Sequence, residues 1–521
     1  MNHTHIPQQS ARSIRLRYPR ATFHWSSCIQ KGTILPFWMI SVLLSGCAVI
    51  FPSGRPSNPV AALRYDIDMV LSDSIFVPAR PSIKIVSLDK KEVLYERESK
   101  LLMRPASNMK LLTSSTALRV LGKDYKFRTS VLADTTAKDS ILSGNLYIKG
   151  YGNPDLSTSD LDTLAAQVQA NGVKAIEGGV FADVSFFDDL YWGYGWNWDD
   201  EPYSYAAFIS PLAINNNCVK VSVTPGQSVG DSVKVVVDPQ TSYVSVLNKA
   251  STVRDTVIRP LNVTRLFKDR LNTILVEGEM LISANPVERQ ISVWKPELYA
   301  ATLFTEALQR RGIAVDKGAS IGTAPVFARE IAAHFQGLDS AVINLNKVSD
   351  NLSAELILKT LGTTNGAEPG SAQGGVYAVH RFLSTLGIDT TKFIMADGSG
   401  LSFYDLLTTG MIIQLLEGMT WQGDIFPLFH QSLPIAGVDG TLRSRMKRTP
   451  AEGNLRAKTG TISGVSSLSG YVQTLDGELI AFAMTMQNFI YPTRLYQRAQ
   501  DKIGALLAGF SRIGRTSNPQ P

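Results

Sequence analysis

Cysteine and histidine are scarce in this chain, with three and six residues among 521. Three of the histidines and Cys28 fall within the first 46 residues, which leaves His334, His380 and His430 far apart and without the short spacings that hold zinc. The pattern argues against a zinc peptidase, and no metal or other cofactor is expected. Negative charge is missing from the first 46 residues, which carry Arg12, Arg15, Arg17, Arg20 and Lys31 but no Asp or Glu. Without that segment the basic and acidic residues nearly balance, so the net charge of +6 gives no support to a nucleic-acid-binding face. No repeat of fixed period organises the chain. With 44% hydrophobic and 18% charged residues it lies far from the disordered corner of composition. Its length is a prior for roughly two to four domains.

The basic start is followed by an apolar run from Ile34 to Ile50, interrupted by Pro36, Ser41, Ser45 and Gly46, and then by polar sequence with Pro52, Pro56 and Pro59. That layout reads as a secretory signal. Within it Leu44-Ser45-Gly46-Cys47 resembles a bacterial lipobox, so residues 1–46 are expected to be removed and Cys47 to carry lipid as the mature N-terminus. The alternative is an uncleaved membrane anchor, since about 17 apolar positions approach the shortest span. Either way the bulk of the chain is expected outside the cytoplasmic membrane, in the cell envelope or periplasm. Loss of the start leaves Cys218 without a cysteine partner, so no internal disulfide is expected and a packed thiol is its simplest state.

Hydrophobic periodicity predicts a helical stretch from about residue 60 and a hairpin of strands at 82–86 and 92–95. A helix follows Arg104-Pro105-Ala106-Ser107, with Leu111, Leu112, Ala117 and Leu118 at helical spacing. Residues 125–290 change to short alternating runs punctuated by Gly, Asp and Asn, a β-rich region with few long helices. Helices return at 298–311, 353–362, 374–387 and 408–419. A last strand pair, 467–474 and 478–487, turns at Asp476-Gly477 before a helix over 493–510.

Three short patterns occur in one order: Ser107-Asn108-Met109-Lys110, Ser349-Asp350-Asn351 and Lys458-Thr459-Gly460. S-x-x-K alone carries little, because it recurs at Ser87/Lys90, Ser292/Lys295 and Ser444/Lys447. K-T-G occurs once, where chance gives about 0.1 in a chain this long. Context separates Ser107 from its decoys. It opens an apolar-periodic helix, where an i,i+3 pair projects from one face and the Lys110 amine reaches the Ser107 hydroxyl. A serine needs an adjacent base, and a lysine serves when burial or a second cation lowers its pKa; Lys458 is available as that cation. The bland alternative is an N-cap serine beside a solvated lysine. Lys458-Thr459-Gly460-Thr461 stands just before the patterned strand pair, where it can form a sheet edge facing a cleft. There the lysine and hydroxyl suit a substrate carboxylate, Gly460 admits close approach, and the following N–H suits a developing oxyanion. A plain glycine turn is the alternative. Tyr191, Trp192, Tyr194, Trp196 and Trp198 read either as a glycan platform or as packing of a Gly-rich loop.

The ordered set S-x-x-K, S-D-N and K-T-G is similar to the signature of penicillin-binding proteins and class A β-lactamases. Ser107 and Ser349 stand 242 positions apart, and no Glu is followed four positions later by Asn, as the deacylating glutamate of class A enzymes would be. With that spacing the chain resembles the class C low-molecular-mass penicillin-binding proteins, the D-alanyl-D-alanine carboxypeptidase/endopeptidase family. Gly150-Tyr151-Gly152-Asn153-Pro154-Asp155-Leu156, Ala396-Asp397-Gly398-Ser399-Gly400-Leu401-Ser402 and Gly437-Val438-Asp439-Gly440-Thr441-Leu442 carry the likeness further.

The resemblance implies a multi-domain α+β fold. A transpeptidase-like penicillin-binding domain, at 60–125 and 292–512, would have a central antiparallel sheet flanked by helices. Two β-rich inserted domains would lie at 126–190 with 272–291 and at 191–271. Ser107 is then the acylated nucleophile and Lys110 its base, Ser349 and Lys458 relay a proton to the leaving amine, and Asn351 binds a substrate carbonyl. Lys458 and Thr459 hold the terminal carboxylate, with the N–H groups of Ser107 and Thr461 as the oxyanion hole. Members that read diaminopimelate use an acidic and an aromatic residue of the inserted region, a pattern that Asp183 and Phe187 resemble; Phe187 as ordinary core is the other reading. Peptidoglycan stem peptides are the implied substrates and β-lactams the implied inhibitors. A β-lactamase or esterase on the same scaffold and a non-catalytic envelope binding protein are the competing readings.

Overall fold

The computed structural model describes residues 54–366 and 369–513; residues 1–46 and Cys47 lie outside them. Among the described residues no helix is long and apolar enough to cross a membrane. A five-stranded antiparallel sheet runs in the order Arg456–Ile462, Val465–Gln473, Leu479–Gln487, Arg80–Ser87 and Glu92–Arg97. Its middle strand is apolar on both faces because helices cover both. Ile480, Phe482 and Met484 enter one core with Leu63 and Ile67 of Pro59–Leu71 and with Ile503 and Leu507 of Thr493–Ala508. The alternate residues Ala481 and Ala483 face the opposite core, with Leu111 and Leu112 of Lys110–Val120 and Ile412 and Leu416 of Thr409–Thr420. The expected hairpin, final strand pair and flanking helices all take their places in this three-layered arrangement.

The helix Lys110–Val120 crosses the middle of the molecule and is buried from Lys110 through Leu118, including four consecutive hydroxyl residues. Three of those four hydroxyls find partners, while the buried Thr116 hydroxyl has none among the described residues. Ser114 donates to the Lys110 carbonyl at 2.6 Å, Ser115 to the Leu112 carbonyl at 3.1 Å and Thr113 to the Gly398 carbonyl at 2.7 Å.

The inserted region begins at Lys126–Ala133 and returns after Arg329–Gly337, since these two strands pair antiparallel with each other. With Leu146–Gly150, Val180–Asp183 and Ala319–Ile321 they make a mixed five-stranded sheet. The expected boundary at 292 is therefore corrected. The helix Pro296–Arg310 places Leu303, Phe304 and Leu308 in the core of Val131, Ile148 and Val180, so residues up to 337 belong to the insertion. An amphipathic stripe has the same spacing whichever core it covers, which is why the sequence placed this helix elsewhere. The expected grouping of 272–291 with the first insertion is also corrected. Thr273–Leu281 pairs with Ser245–Val253 and Asn262–Arg265, while Val287–Ser292 pairs with Cys218–Thr224, so both strands belong to two three-stranded sheets within 218–292. The helix Thr158–Ala170 was missed within the β-rich region, although the Ser157 N–H donates to Asp160 at 2.8 Å in a recognisable capping pattern.

The loop between the two insertions packs back on the first part of the molecule. Phe187, Ala207, Ile209 and the buried free thiol Cys218 share a core with Leu352 and Leu356 of the helix Asn351–Gly362.

Candidate active site

A 3-10 turn, Ala106–Met109, runs directly into the helix Lys110–Val120 and leaves Ser107 at a cleft. Ala106 has φ 49°, a left-handed conformation that costs an ordinary residue about 1–3 kcal/mol and that surrounding contacts must hold. Gly400 presses on it so closely that a Cβ there would stand 1.8 Å from the Ala106 carbonyl oxygen. Lys110, one helical turn after the serine, has no solvent exposure. Its Nζ donates to Ser107 Oγ at 2.9 Å, Asn351 Oδ1 at 2.6 Å and the Ser399 carbonyl at 2.7 Å. An ammonium has three donors, so the charged form is fully satisfied; the neutral form turns a lone pair toward the serine hydroxyl. Burial pushes Lys110 down to about 8 from 10.5, against the opposing pull of Asp397, Asp350 and Glu355. Desolvation rather than a second cation is thus the main cause.

Ser349 ends a turn of helix at Leu345–Ser349 and has φ 64°. Asp350 caps the next helix, accepting from the Leu352 N–H at 3.1 Å, and also accepts from Asn216 at 2.8 Å and Ser353 at 2.7 Å. That cap aims Asn351 inward, where its Nδ2 donates to the Tyr205 carbonyl of the inserted region at 2.8 Å. Lys458 lies on the edge strand Arg456–Ile462, fully buried, and donates to Ser349 Oγ at 2.7 Å and to the Thr459 carbonyl at 3.0 Å. Burial first, and then the charge of Lys110, push its amine well below the usual lysine range. Gly460 sits within the strand rather than in a turn. A Cβ on it would stand 2.1 Å from Ser467 Oγ and 2.9 Å from the Ser107 nitrogen, so the strand passes directly beside the serine's backbone. Ser107, Ser349, Asn351, Thr459, Gly460 and Thr461 thereby line one cleft of about 620 Å³.

A family model described as D-Ala-D-Ala carboxypeptidase 3 (S13) matches residues 63–508. The chain belongs to this family. A D-alanyl-D-alanine carboxypeptidase of Actinomadura sp. (strain R39) is 37% identical over 509 residues, covering 95% of this chain and 93% of the relative. The D-alanyl-D-alanine carboxypeptidase DacB of Haemophilus influenzae is 27% identical over 413 residues, 77% of this chain and 84% of that one. The crystal structure of penicillin binding protein 4 (dacB) from Haemophilus influenzae superposes with a TM-score of 0.75 at 25% identity, covering 84% of this chain and 97% of the other. The chain is accordingly a hydrolase of the D-Ala-D-Ala carboxypeptidase kind, with the α+β penicillin-binding fold.

In this S13 carboxypeptidase two expected residues do not reach the cleft. Asp183 is fully buried, accepting from the Ser185 N–H at 3.0 Å, the Ser185 hydroxyl at 2.6 Å and the Ala324 N–H at 2.9 Å, with Lys149 at 3.5 Å. Phe187 is buried core against Leu352 and Leu356. The inserted region instead lends the cleft Asn197, Asp200 and Tyr205. The Asp200 carboxylate accepts from the Tyr205 hydroxyl at 2.7 Å and from Asn197 at 3.2 Å. Sequence reasoning passed over Asp200, although an Asp199-Asp200 pair inside an aromatic stretch was a visible signal.

The stretch 396–402 supplies what the sequence had left without a role. Asp397 accepts from the Gly400 N–H at 2.7 Å, the Ser402 N–H at 2.9 Å, the Ser399 hydroxyl at 2.8 Å and the Trp196 indole at 2.8 Å. These bonds hold the Ser399 carbonyl on Lys110. Glu355 accepts from the Gly398 N–H at 2.9 Å, and burial with the nearby charge of Asp397 pushes it up to about 8. Asp405 is raised well above the usual carboxylate range for the same two reasons. Among the aromatic residues, Trp196 is tied to Asp397, Tyr194 packs on Tyr404 and Trp192 on Phe208 and Trp294, so the cluster fastens its loop to the molecule.

Proposed function

We propose that this carboxypeptidase removes the terminal D-alanine of peptidoglycan stem peptides through an ester on Ser107. The observation that carries the reading is the buried amine of Lys110, 2.9 Å from the Ser107 hydroxyl at the cleft. Neutral Lys110 takes the serine proton as Oγ attacks the carbonyl carbon of the penultimate D-alanine. The Ser107 and Thr461 N–H groups receive the negative charge that develops on oxygen. The C–N bond breaks, and the departing amine receives a proton through Ser349, which Lys458 holds by a hydrogen bond of 2.7 Å. Lys458 and Thr459 hold the substrate's terminal carboxylate, whose charge offsets the burial of the lysine. Asn351 Nδ2 holds a substrate amide carbonyl. Water then attacks the ester, and Lys110 is again the base. Asp200 suits a cationic amine on the stem side chain, such as that of diaminopimelate.

A β-lactam ring opens on Ser107 in the same way, but its amine stays tethered and the ester persists. Intact-mass spectrometry with a penicillin, followed by peptide mapping, is expected to find one stable adduct on the peptide holding Ser107. Ser107→Ala is expected to lose both that adduct and D-alanine release. An adduct that persists in the variant overturns the nucleophile assignment, and fast drug turnover without an adduct selects the β-lactamase reading. The N-terminal sequence supports a further proposal, that the mature chain is held in the cell envelope by lipid on Cys47. Metabolic labelling with a fatty acid tests it, with label expected in the wild type and lost in Cys47→Ala.

A further inference from the structure

A small cavity of about 140 Å³ lies where the loop of residues 191–209 meets the start of the helix Pro296–Arg310. Aromatic rings make much of its wall: Tyr191, Phe208 and Trp294, the last two edge to face with centroids 5.1 Å apart. Trp294 is fixed through its backbone. Its N–H donates to Asn272 Oδ1 at 2.7 Å, and its carbonyl accepts from Asn272 Nδ2 at 3.0 Å and from the Tyr243 hydroxyl at 2.7 Å. Glu297, in the first turn of the helix, also lines the cavity and is only 4% exposed. Its Oε2 is buried and has no hydrogen-bond partner among the described residues. An unpaired buried acceptor costs about 1–3 kcal/mol, so a donor brought to it by a ligand adds to binding. The same loop supplies Asn197, Asp200 and Tyr205 to the catalytic cleft.

The cavity is smaller than the roughly 300–1,000 Å³ of a pocket that encloses a whole ligand, so it suits one substituent of a larger molecule. That substituent needs an apolar end for the rings and a donor for Glu297. An ammonium is disfavoured, because Lys295 also lines the cavity and the Arg270 guanidinium lies 4.4 Å from the Trp294 ring centroid. Two cations beside one carboxylate leave a neutral N–H as the better match. A peptide amide carries chain on both sides and cannot enter end-on. An acetamido group can, since it ends in a methyl and offers one N–H. We infer that this cavity takes the acetamido group of an amino sugar, so that a glycan strand is held beside the cleft while its stem peptide is cut. The methyl packs on Tyr191, Phe208 and Trp294, the N–H donates to Glu297 Oε2, and the sugar ring stays outside. The source of the sugar rests on the proposed peptidoglycan substrate, whose glycan carries such groups.

Binding is measured without turnover, which separates this inference from the Ser107 chemistry. The full-length protein is titrated with a tetrasaccharide of N-acetylglucosamine and with its fully deacetylated form, and saturation-transfer NMR reads which ligand protons approach the protein. The acetylated form is expected to bind with the strongest transfer at its acetyl methyl groups, and the deacetylated form about tenfold more weakly or worse. Glu297→Leu, which removes the acceptor, is expected to weaken binding of the acetylated form about tenfold, while Glu297→Gln keeps an acceptor oxygen and stays near the wild type. Penicillin acylation in each variant reports whether the fold is intact. Should Glu297→Leu fail to fold, Trp294→Leu takes its place with the same expected loss. A wild type that binds the deacetylated form as tightly as the acetylated one, or binds neither, overturns the inference. So does binding that is unmoved in an acylation-competent Glu297→Leu or Trp294→Leu. Release of D-alanine from a sugar-free stem pentapeptide is expected to be the same in Glu297→Leu as in the wild type, and its absence from the wild type overturns the substrate reading instead.

Discussion

Lys110 shows how burial changes what a side chain can do. An ammonium without solvent contact is costly, and the cost is reduced by three short hydrogen bonds and by the easier loss of its proton. Because the amine acts as a base only when neutral, acylation by penicillin is expected to rise about tenfold per pH unit below about 8 and to level off above it. A rate that stays flat from mildly acid to mildly alkaline pH removes Lys110 from the base role. Glu355 titrates with the opposite consequence. Its folded pKa of about 8 lies above the ordinary 4.5, so its contribution to stability is full below the lower value and is lost as pH rises through the higher one. Glu355→Gln keeps an acceptor for the Gly398 N–H and has no proton to lose. Thermal unfolding is expected to show a smaller fall in Tm between those two pH values for the variant than for the wild type.

Strands and loops act here by pressing on the turn that holds the serine. The edge strand Arg456–Ile462 comes so near that an added methyl at Gly460 meets backbone at Pro105 and Ser107 as well as the Ser467 hydroxyl. Backbone on two sides cannot swing away as a flexible side chain would. Gly460→Ala is therefore expected to lower acylation on the order of 100-fold, as a displacement of about 1 Å at a reacting group does. Stopped-flow measurement of penicillin acylation checks this, and a near-normal rate shows that the strand can shift freely. The aromatic loop presses from another direction. Trp196→Phe removes one of four donors to the buried Asp397 and is expected to cost about 1–3 kcal/mol in denaturant unfolding. Elements of this length were largely readable beforehand, since the alternation of 479–487 and the helical spacing of 493–508 are properties of a few successive residues. Their assignment to one core or another was not readable in the same way.

At the scale of the whole molecule, the insertion and the catalytic part share apolar surface instead of only being tethered. Phe187 packs on Leu352 and Leu356, which lie on the helix that begins with Asn351. Phe187→Ala is expected to cost about 3–5 kcal/mol and to slow acylation as well, because the cavity it leaves lies beneath that helix. Tm and the acylation rate, measured together, check it; a fall in Tm alone places the helix beyond the reach of the insertion. The residue singled out for contact with substrate thus acts as packing. The choice between Asp183 and Asp200 turned on the same kind of fact. Both are acidic residues of the insertion, yet one is enclosed by Ser185 and Ala324 while the other opens into the cleft. By itself the sequence determined the three motifs, their order, the sheet and helices that carry them and the family likeness, because each is written in local spacing. Only the tertiary structure decided that Lys110 loses its water, that Asp200 faces the cleft, that the insertion extends to 337, and that Asp397 steadies the Ser399 carbonyl. Those outcomes depend on which surfaces meet across hundreds of residues, and a local pattern reads the same whichever surface it meets.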